Sequence, residues 1–253
     1  MWTLKQDKLN VKVFETRALM GEAAACDAEE YINSVLAGQD EMNIVFAAAP
    51  SQNDVLAALV RKNIPWERIN AYHMDEYVGL KVSDPQLFGH YLDEHIFKLV
   101  PFKSVHYIAQ AGVSAEKICS DYCELLGKIH IDVIFMGIGE NGHIAFNDPG
   151  EARFDDPQIA KIVKLDDICR MQQVHDGCFP TLEDVPEYAI SLTIPTMMSA
   201  DRLFNVVPTA LKANAVKAMI YGEISEACPA SACRNHDNVT LYLDEDSAKL
   251  IKQ

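Results

Sequence analysis

The chain has 253 residues, of which 49% are hydrophobic and 23% are charged, so it is long enough to bury a sizeable core. Its formal net charge of −15 at pH 7 argues against a nucleic-acid groove or docking on an anionic membrane, because both need concentrated Lys and Arg. A phosphorylated metabolite remains compatible with this charge, since its pocket needs only a few local cations and backbone N–H groups.

The N-terminal segment and the cysteines indicate a compartment. The first residues, Met-Trp-Thr-Leu-Lys-Gln-Asp-Lys, lack the apolar stretch of a signal peptide, and no later run has the length of a membrane span. The seven cysteines are an odd number, and none forms a Cys-x-x-Cys pair. We therefore expect reduced cysteines and a cytoplasmic protein.

Strands and helices alternate from residue 43 onward. Apolar runs predict strands at Asn43 to Ala49, Arg68 to His73, Val105 to Ala109, Ile131 to Met136, Ala160 to Leu165, Tyr188 to Ile194, Arg202 to Val207 and Val239 to Leu243. Helical periodicity and capping patterns predict helices after Ser51, over Leu87 to Leu99, over Ser114 to Lys128 and from near Thr209 onward. This order predicts a single α/β domain over residues 1–253, with a mainly parallel sheet covered by helices on both faces.

Two segments crowd ionisable groups beside glycine directly after a predicted strand. The first is His73-Met74-Asp75-Glu76-Tyr77-Val78-Gly79-Leu80, and the second runs from Gly137 to Gly150 with the sequence GIGENGHIAFNDPG. An open α/β sheet places its active site at the carboxyl ends of its strands, where such residues converge. Two carboxylates and a histidine there indicate proton-transfer chemistry on a small polar substrate.

The same residues also have purely structural interpretations. Asp75 and Glu76 fit a solvated turn at a strand end as well as a base that points into a crevice. His143 fits a core histidine bound to a backbone carbonyl as well as an acid–base group oriented by Asn141 and Asp148. Spacing alone leaves both alternatives open.

Two further site types receive weak support from the second segment. Gly137, Gly139 and Gly142 match the dinucleotide fingerprint, but Pro149 arrives too soon for the long helix that this motif requires. The glycines are better explained by a tight turn or a close approach of backbone to substrate. His73, Asp75 and His143 could form a metal site on paper, yet they lack a metal-ligand spacing, so no metal is predicted.

Both segments resemble the glucosamine-6-phosphate deaminase/isomerase family, in which similar M-D-E-Y-V-G-L and G-x-G-x-(D/N)-G-H-I-x-F-N-E-P segments frame the active site. The resemblance implies a three-layer, modified Rossmann-like fold. It also implies conversion of an amino-sugar 6-phosphate, most simply glucosamine 6-phosphate, to fructose 6-phosphate and ammonia without a redox cofactor. His143, held by Asn141 and Asp148, would open the sugar ring, and Asp75 would move a proton from C2 to C1.

The resemblance further implies a set of substrate-binding residues. Arg170 and Lys212 correspond to the family's phosphate-binding cations, and Glu76 stands where it could tune Asp75 or cap a loop. The remaining predicted contacts come from the glycine segment and from the turn after the first predicted strand, namely Gly139, Gly142, Ser51 and Gln52.

Three departures from the family pattern put the substrate in question more than the chemistry. The turn at residues 48–53 lacks the family's glycines, and Thr209-Ala210 replaces a glycine-containing turn. Asp148 stands where glutamate is usual, so a shorter reach toward His143 is expected. The alternatives are a galactosamine-6-phosphate deaminase, a 6-phosphogluconolactonase-like hydrolase and a non-catalytic sugar-phosphate sensor. A homo-oligomer is compatible with all of these.

Overall fold

The computed structural model describes residues 1–251, in which strands alternate with helices. The strands are β1 (Trp2–Gln6), β2 (Leu9–Phe14), β3 (Met42–Phe46), β4 (Ile69–His73), β5 (Asp75–Tyr77), β6 (Ser104–His106), β7 (Val133–Met136), β8 (Ala160–Lys164), β9 (Tyr188–Leu192), β10 (Arg202–Val207) and β11 (Val239–Asp244). The α-helices are α1 (Arg17–Leu36), α2 (Asn53–Leu59), α3 (Phe88–Leu92), α4 (Ala115–Leu126), α5 (Asp167–His175), α6 (Ile194–Met198) and α7 (Ala213–Tyr221).

Eight strands form one sheet in the order β1-β2-β11-β10-β7-β3-β4-β6. Neighbouring strands from β2 to β6 are parallel, whereas β1 pairs antiparallel with β2. The strand order reverses at β3 and β7, which lie side by side although the strands beyond them lead to opposite edges. In an open α/β sheet such a switch point leaves a crevice at the carboxyl ends of the two strands.

Helices cover both faces of this sheet. Successive residues of the central strands alternate between two hydrophobic clusters, so that Ile44 and Phe46 of β3 pack on one face and Val45 packs on the other. The first cluster includes buried side chains of α1, α2 and α3, and the second includes those of α4, α6 and α7. The prediction of an α/β fold with a mainly parallel sheet between helical layers is confirmed.

A second sheet has three antiparallel strands in the order β5-β9-β8. Only Met74 separates β5 from β4, and its N–H donates to Phe46 of the main sheet (3.2 Å) while its carbonyl accepts from Leu192 (2.9 Å). The strands predicted at Ala160 to Leu165 and Tyr188 to Ile194 therefore exist, but they lie outside the parallel sheet. An apolar run indicates a strand without identifying its partner.

The N-terminal β1, β2 and α1 are absent from the sequence-based prediction. Thr16 caps α1 by accepting a hydrogen bond from the N–H of Leu19 (3.2 Å). Gly21 lets α1 approach α2 closely, because a Cβ at this position would lie 2.6 Å from the Cβ of Asp54. Neither α1 nor any other helix within residues 1–251 is long and apolar enough to cross a membrane.

Candidate active site

A cavity of about 100 Å³ opens at the carboxyl ends of β3 and β7, at the switch point of the sheet. The chain leaves β3 through residues 47–50 and leaves β7 through residues 137–139, and both stretches line the cavity. The polar and charged side chains in its wall come from several elements and are Arg17, Ser51, Asp75, His143, Gln172, Gln173, Asp176, Thr209 and Lys212.

Asp75 presents its carboxyl group to this cavity from the first position of β5. Its backbone is held on two sides, because β5 pairs with β9 and Nδ1 of His73 lies 2.9 Å from the Asp75 carbonyl oxygen. Within residues 1–251 the buried Asp75 carboxyl has no hydrogen-bond donor. Burial, and secondly the charge of Glu76, raise the pKa of Asp75 well above its usual range. A carboxylate in this state is a good acceptor for a nearby proton.

His143 enters the same cavity with one ring nitrogen already occupied. Its Nδ1 lies 2.8 Å from Oδ1 of Asn141 and 3.0 Å from Oδ1 of Asp148. Since both neighbours are acceptors, Nδ1 carries the proton of the neutral ring, and Nε2 has a free lone pair. The imidazole is therefore oriented as a base with Nε2 left for a ligand.

Asn141 and Asp148 complete a buried network behind the imidazole. The Asn141 amide nitrogen donates to Oδ1 of Asp148 (3.0 Å) and to Oδ2 of Asp166 (3.1 Å), so its oxygen is turned toward His143. Burial acts to raise the pKa of Asp148, but hydrogen bonds from His143 and Asn141 outweigh it and hold that pKa below the usual value. Although Asp148 is shorter than the glutamate of the family pattern, its carboxylate contacts His143 Nδ1 at 3.0 Å.

Gly139 makes room for the histidine ring. A Cβ at this position would lie 2.1 Å from Cε1 of His143, closer than any side chain tolerates. The Gly139 N–H also donates to the His143 carbonyl (2.9 Å), which closes the loop between them. No helix opens between residues 137 and 150, so this glycine motif lacks the helix that a dinucleotide site uses.

The cavity wall also contains a buried cation, Lys212. Lys212 follows a turn after β10 and is buried with only 6% of its surface exposed, yet its Nζ has no hydrogen-bond partner within residues 1–251. Burial lowers the pKa of Lys212, and the nearby Asp176 and Glu140 act in the opposite direction. A buried ammonium without a partner is an incomplete site that an anionic ligand can complete.

Comparisons with known proteins identify the family to which this chain belongs. Residues 15–242 match the family model described as glucosamine-6-phosphate isomerases/6-phosphogluconolactonase. This protein belongs to that family. The chain is also similar to a glucosamine-6-phosphate deaminase of Ligilactobacillus salivarius, with 36% identity over 194 residues that cover 77% of this chain and 81% of the relative. A Bacillus cereus glucosamine-6-phosphate deaminase is 31% identical over 245 residues, covering 97% of this chain and 90% of the relative.

Solved structures of this family share the fold. A structure described as a monomeric glucosamine-6-phosphate deaminase has a TM-score of 0.85 at 27% identity, covering 95% of this chain and 99% of that one. The 6-phosphogluconolactonase of Trypanosoma brucei has a TM-score of 0.78 at 17% identity, covering 99% of this chain and all of its own (100%). At that identity the lactonase likeness concerns the fold alone.

Arg170 does not lie where the family resemblance implies. It is absent from the cavity wall, and its guanidinium donates to the carbonyls of Leu182 (2.8 Å) and Val185 (2.9 Å). These carbonyls hold the arginine away from the anion site. Arg17, which sequence reasoning missed, lines the cavity instead and is anchored by Asp54 and the carbonyl of Pro50. No motif surrounds Arg17, so the sequence carries no signal that could have identified it.

Glu76 faces away from the cavity and stabilises α3. Its two carboxylate oxygens accept hydrogen bonds at 3.0 Å from the backbone N–H groups of Tyr77, Phe88 and Gly89. The predicted substrate contact from Glu76 is therefore corrected to a cap of the α3 N-terminus. Its charge still reaches the neighbouring Asp75.

Two other predicted substrate contacts, Gln52 and Gly142, lie outside the cavity wall. Ser51 lines the cavity, whereas Gln52 is fully buried and donates to Ser51 Oγ (3.0 Å) and to the carbonyl of Val206 (3.1 Å). Gly142 is likewise outside the wall and has a φ of 88°, a left-handed conformation that glycine adopts without strain. Both corrections leave the neighbouring residues, Ser51 and Gly139, in the cavity.

His73 is excluded as a metal ligand by its hydrogen bonds. Its Nε2 accepts from the N–H of Ile108 (2.9 Å), so Nδ1 carries the proton and donates to the Asp75 carbonyl (2.9 Å). Burial lowers the pKa of His73 to about 4, which keeps the ring neutral. The residue fixes the backbone of Asp75 and does not enter the cavity.

Proposed function

We propose that this protein is a glucosamine-6-phosphate deaminase, which converts glucosamine 6-phosphate and water to fructose 6-phosphate and ammonia. The observation that carries the proposal is the content of one cavity: a donor-free carboxyl at Asp75, a basic Nε2 at His143 and an unpaired cation at Lys212. The names of the relatives reported above support the same reaction.

His143 acts first, on the closed pyranose ring. Nε2 takes the proton of the O1 hydroxyl and delivers it to O5 as the C1–O5 bond breaks, which leaves an open-chain aldehyde. Nδ1 keeps its own proton throughout, because Asn141 and Asp148 accept hydrogen bonds from it. Asp148 stabilises the imidazolium that exists between the two proton transfers.

Asp75 then carries the isomerisation. Its carboxylate removes the proton from C2, a double bond forms between C1 and C2, and O1 takes a proton from the substrate's ammonium group, which gives an enolamine. Return of the C2 proton from Asp75 to C1 gives a protonated ketose imine at C2, which water hydrolyses with release of ammonia as ammonium. The hydrogen bond from His73 to the Asp75 carbonyl and the pairing of β5 with β9 fix the position of the base.

The phosphate group binds to the cations of the cavity wall. Lys212 provides the buried charge, Arg17 adds a second cation and Ser51 adds a hydroxyl donor. The carboxylate of Asp176 lies near enough to favour the charged form of Lys212, while Nζ has no hydrogen-bond partner within residues 1–251 and can bind a phosphate oxygen. This arrangement favours a substrate that carries an anionic group in addition to its reacting carbons.

The decisive experiment is to measure ammonia and fructose 6-phosphate from purified protein supplied with glucosamine 6-phosphate. Galactosamine 6-phosphate and 6-phosphogluconolactone are the parallel substrates. Equal amounts of ammonia and fructose 6-phosphate are expected from the first. Turnover of the lactone alone would replace the proposal by a lactonase, and binding of glucosamine 6-phosphate without turnover would replace it by a sugar-phosphate sensor.

We also propose that the protein acts in the cytoplasm on this phosphorylated amino sugar. All seven cysteines are free thiols in the structure, and two of them, Cys169 and Cys233, are buried. Free thiols in this number are typical of a reducing compartment. Fractionation of the source cells, with the thiols titrated under native conditions, tests the compartment.

A further inference from the structure

A buried set of three potential metal ligands lies behind the catalytic histidine. His143, Asp148 and Cys169 each offer one donor atom, and these atoms all lie within 4.8 Å of one another. None of the three residues exposes more than 7% of its surface. The proposed reaction uses His143 and Asp148 but gives no role to the Cys169 thiol, which α5 places at this point from its first turn.

We propose that His143, Asp148 and Cys169 form an inhibitory zinc site. Imidazole nitrogen, carboxylate oxygen and thiolate sulfur are the three donor types that Zn²⁺ takes in proteins. The Zn–N, Zn–O and Zn–S bond lengths put tetrahedral donors roughly 3.3 to 3.6 Å apart, so the cluster needs to contract by up to about 1.5 Å. Oδ1 of Asn141, 2.8 Å from His143 Nδ1, provides the fourth donor.

A separate acidic opening is lined by one residue of this cluster, Asp148. It has a volume of about 470 Å³ and reaches Asp148. Its charged lining residues are Asp148, Glu151, Asp166, Asp167 and, as the single cation, Lys164. Four carboxylates against one ammonium concentrate divalent cations at this opening, and one of the four carboxylates, Asp148, is a zinc ligand.

The metal would inactivate the enzyme by binding Nδ1 of His143, the ring nitrogen that carries the proton in the active form. This consequence rests on the proposed function. Zinc binds Nδ1, so the single proton of the neutral ring moves to Nε2, and the Cys169 thiol releases its proton to solvent. Nε2 then has no lone pair for the O1 proton of the sugar. Ring opening stops, although the cavity itself stays open.

Metal binding is tested without any substrate, by titrating Zn²⁺ and Co²⁺ into metal-free protein. We expect a thiolate-to-cobalt charge-transfer band in the wild type, and roughly 100-fold weaker binding at this site in Cys169→Ala. Cys233→Ala is the matched control, because Cys233 is also fully buried but lies outside the cluster. If Cys169→Ala does not fold, Cys169→Ser replaces it. Equal affinity and an unchanged band in the Cys169 and Cys233 variants would overturn the site.

The activity arm separates this proposal from the function on which it rests. With a turnover assay on glucosamine 6-phosphate, Zn²⁺ should inhibit wild type and Cys233→Ala, a chelator should restore both, and Cys169→Ala should resist. Zinc bound through Cys169 without loss of activity would overturn the inhibitory role. Absence of turnover in metal-free protein would remove the proposed function, while the cobalt spectrum would still decide whether the site exists.

Discussion

The cavity wall has two sets of side chains that are built in opposite ways: a proton-transfer end around Asp75 and His143, and an anion end around Lys212 and Arg17. At the proton-transfer end, the side chains that orient His143 are hydrogen-bonded to one another in a closed network of Asn141, Asp148 and Asp166. At the anion end, Lys212 is buried without a hydrogen bond, and Thr209 has a strained backbone. The difference shows which groups act in a fixed geometry and which wait for a ligand. Preorganised groups serve catalysis, whereas an unsatisfied charge serves binding.

The largest effect is expected from Asp75→Asn at the proton-transfer end. The amide keeps the shape of the carboxyl group but cannot accept the C2 proton, so kcat should fall by about 10²- to 10⁴-fold. Substrate binding should persist, because the anion end is unchanged. Steady-state ammonia release and exchange of the C2 hydrogen in D₂O measure the two steps. Retention of exchange in the variant would assign the base to another residue.

Lys212→Met tests the anion end and should act mainly on KM. Loss of a charged hydrogen-bond donor to phosphate corresponds to about 1.5 to 3 kcal/mol, which is roughly a 10- to 150-fold rise in KM. Methionine keeps the length of the side chain and fills the buried site. Lys217→Met, an exposed lysine on α7, is the control. A fall in kcat at constant KM would place Lys212 in the chemistry and remove the contrast between the two ends.

Asp148→Glu tests whether the space between residue 148 and His143 has room for a longer side chain. The family pattern has glutamate here, but Asp148 is 1% exposed and already contacts His143 Nδ1 at 3.0 Å. An additional methylene must displace the ring, and an overpacking cost of about 1 to 2 kcal/mol in the transition state corresponds to a roughly 5- to 30-fold lower kcat. Asp167→Glu, with a largely exposed side chain, should have no effect. A faster Asp148→Glu enzyme would mean that the network is not optimal for aspartate.

Glu76→Gln tests whether Glu76, the carboxyl group next to Asp75, titrates in the folded protein. The measured quantity is the pH dependence of the free energy of unfolding. Burial raises the pKa of Glu76 from 4.5 to about 7. Because the pKa of Glu76 is higher in the folded than in the unfolded protein, its contribution to stability is fully present below pH 4.5. That contribution is lost as the pH rises from 4.5 through 7. The loss is on the order of 3 kcal/mol between pH 4.5 and pH 7, and the glutamine variant should lack it. Urea unfolding at several pH values measures both slopes. Parallel slopes would show that Glu76 does not titrate in this range.

Much of the fold is readable from the sequence because its central strands are apolar runs with abrupt ends. β10 agrees with its predicted bounds, and the runs that became β3, β4 and β7 differ by few residues. The N-terminal helix was missed because α1 is rich in alanine and its residues from 17 to 36 lack a clear apolar stripe. The antiparallel sheet was missed because strand partners are set by tertiary contacts such as those of Met74.

The sequence predicts the residues of the proton-transfer end but not the cations of the anion end. Asp75 and His143 belong to long motifs, so their convergence at the strand ends follows from the sequence pattern. The cations of the anion end carry no such signal. Arg170 is held outside by the carbonyls of Leu182 and Val185, and Arg17 enters from the start of α1. Both arginines are held by acceptors, but the Pro50 carbonyl that binds Arg17 belongs to the cavity wall, whereas those that bind Arg170 do not, and the sequence does not reveal this difference.

The smallest effect is expected from Thr209→Gly at the anion end. Thr209 has a φ of 81°, which is unfavourable for a β-branched residue, and its N–H is fixed by both carboxylate oxygens of Asp244 at 3.2 and 3.1 Å. Glycine relieves a strain of about 1 to 3 kcal/mol but has more freedom when unfolded, so a net gain of roughly 1 kcal/mol in unfolding free energy is expected. Thr209→Ala, which keeps a Cβ, should recover less. Chemical denaturation compares the three proteins. Equal stability of the glycine and wild-type proteins would mean that the hydrogen bonds to Asp244 already offset the backbone strain at Thr209. The unpartnered charge of Lys212 would then be the unfavourable feature of the anion end that remains.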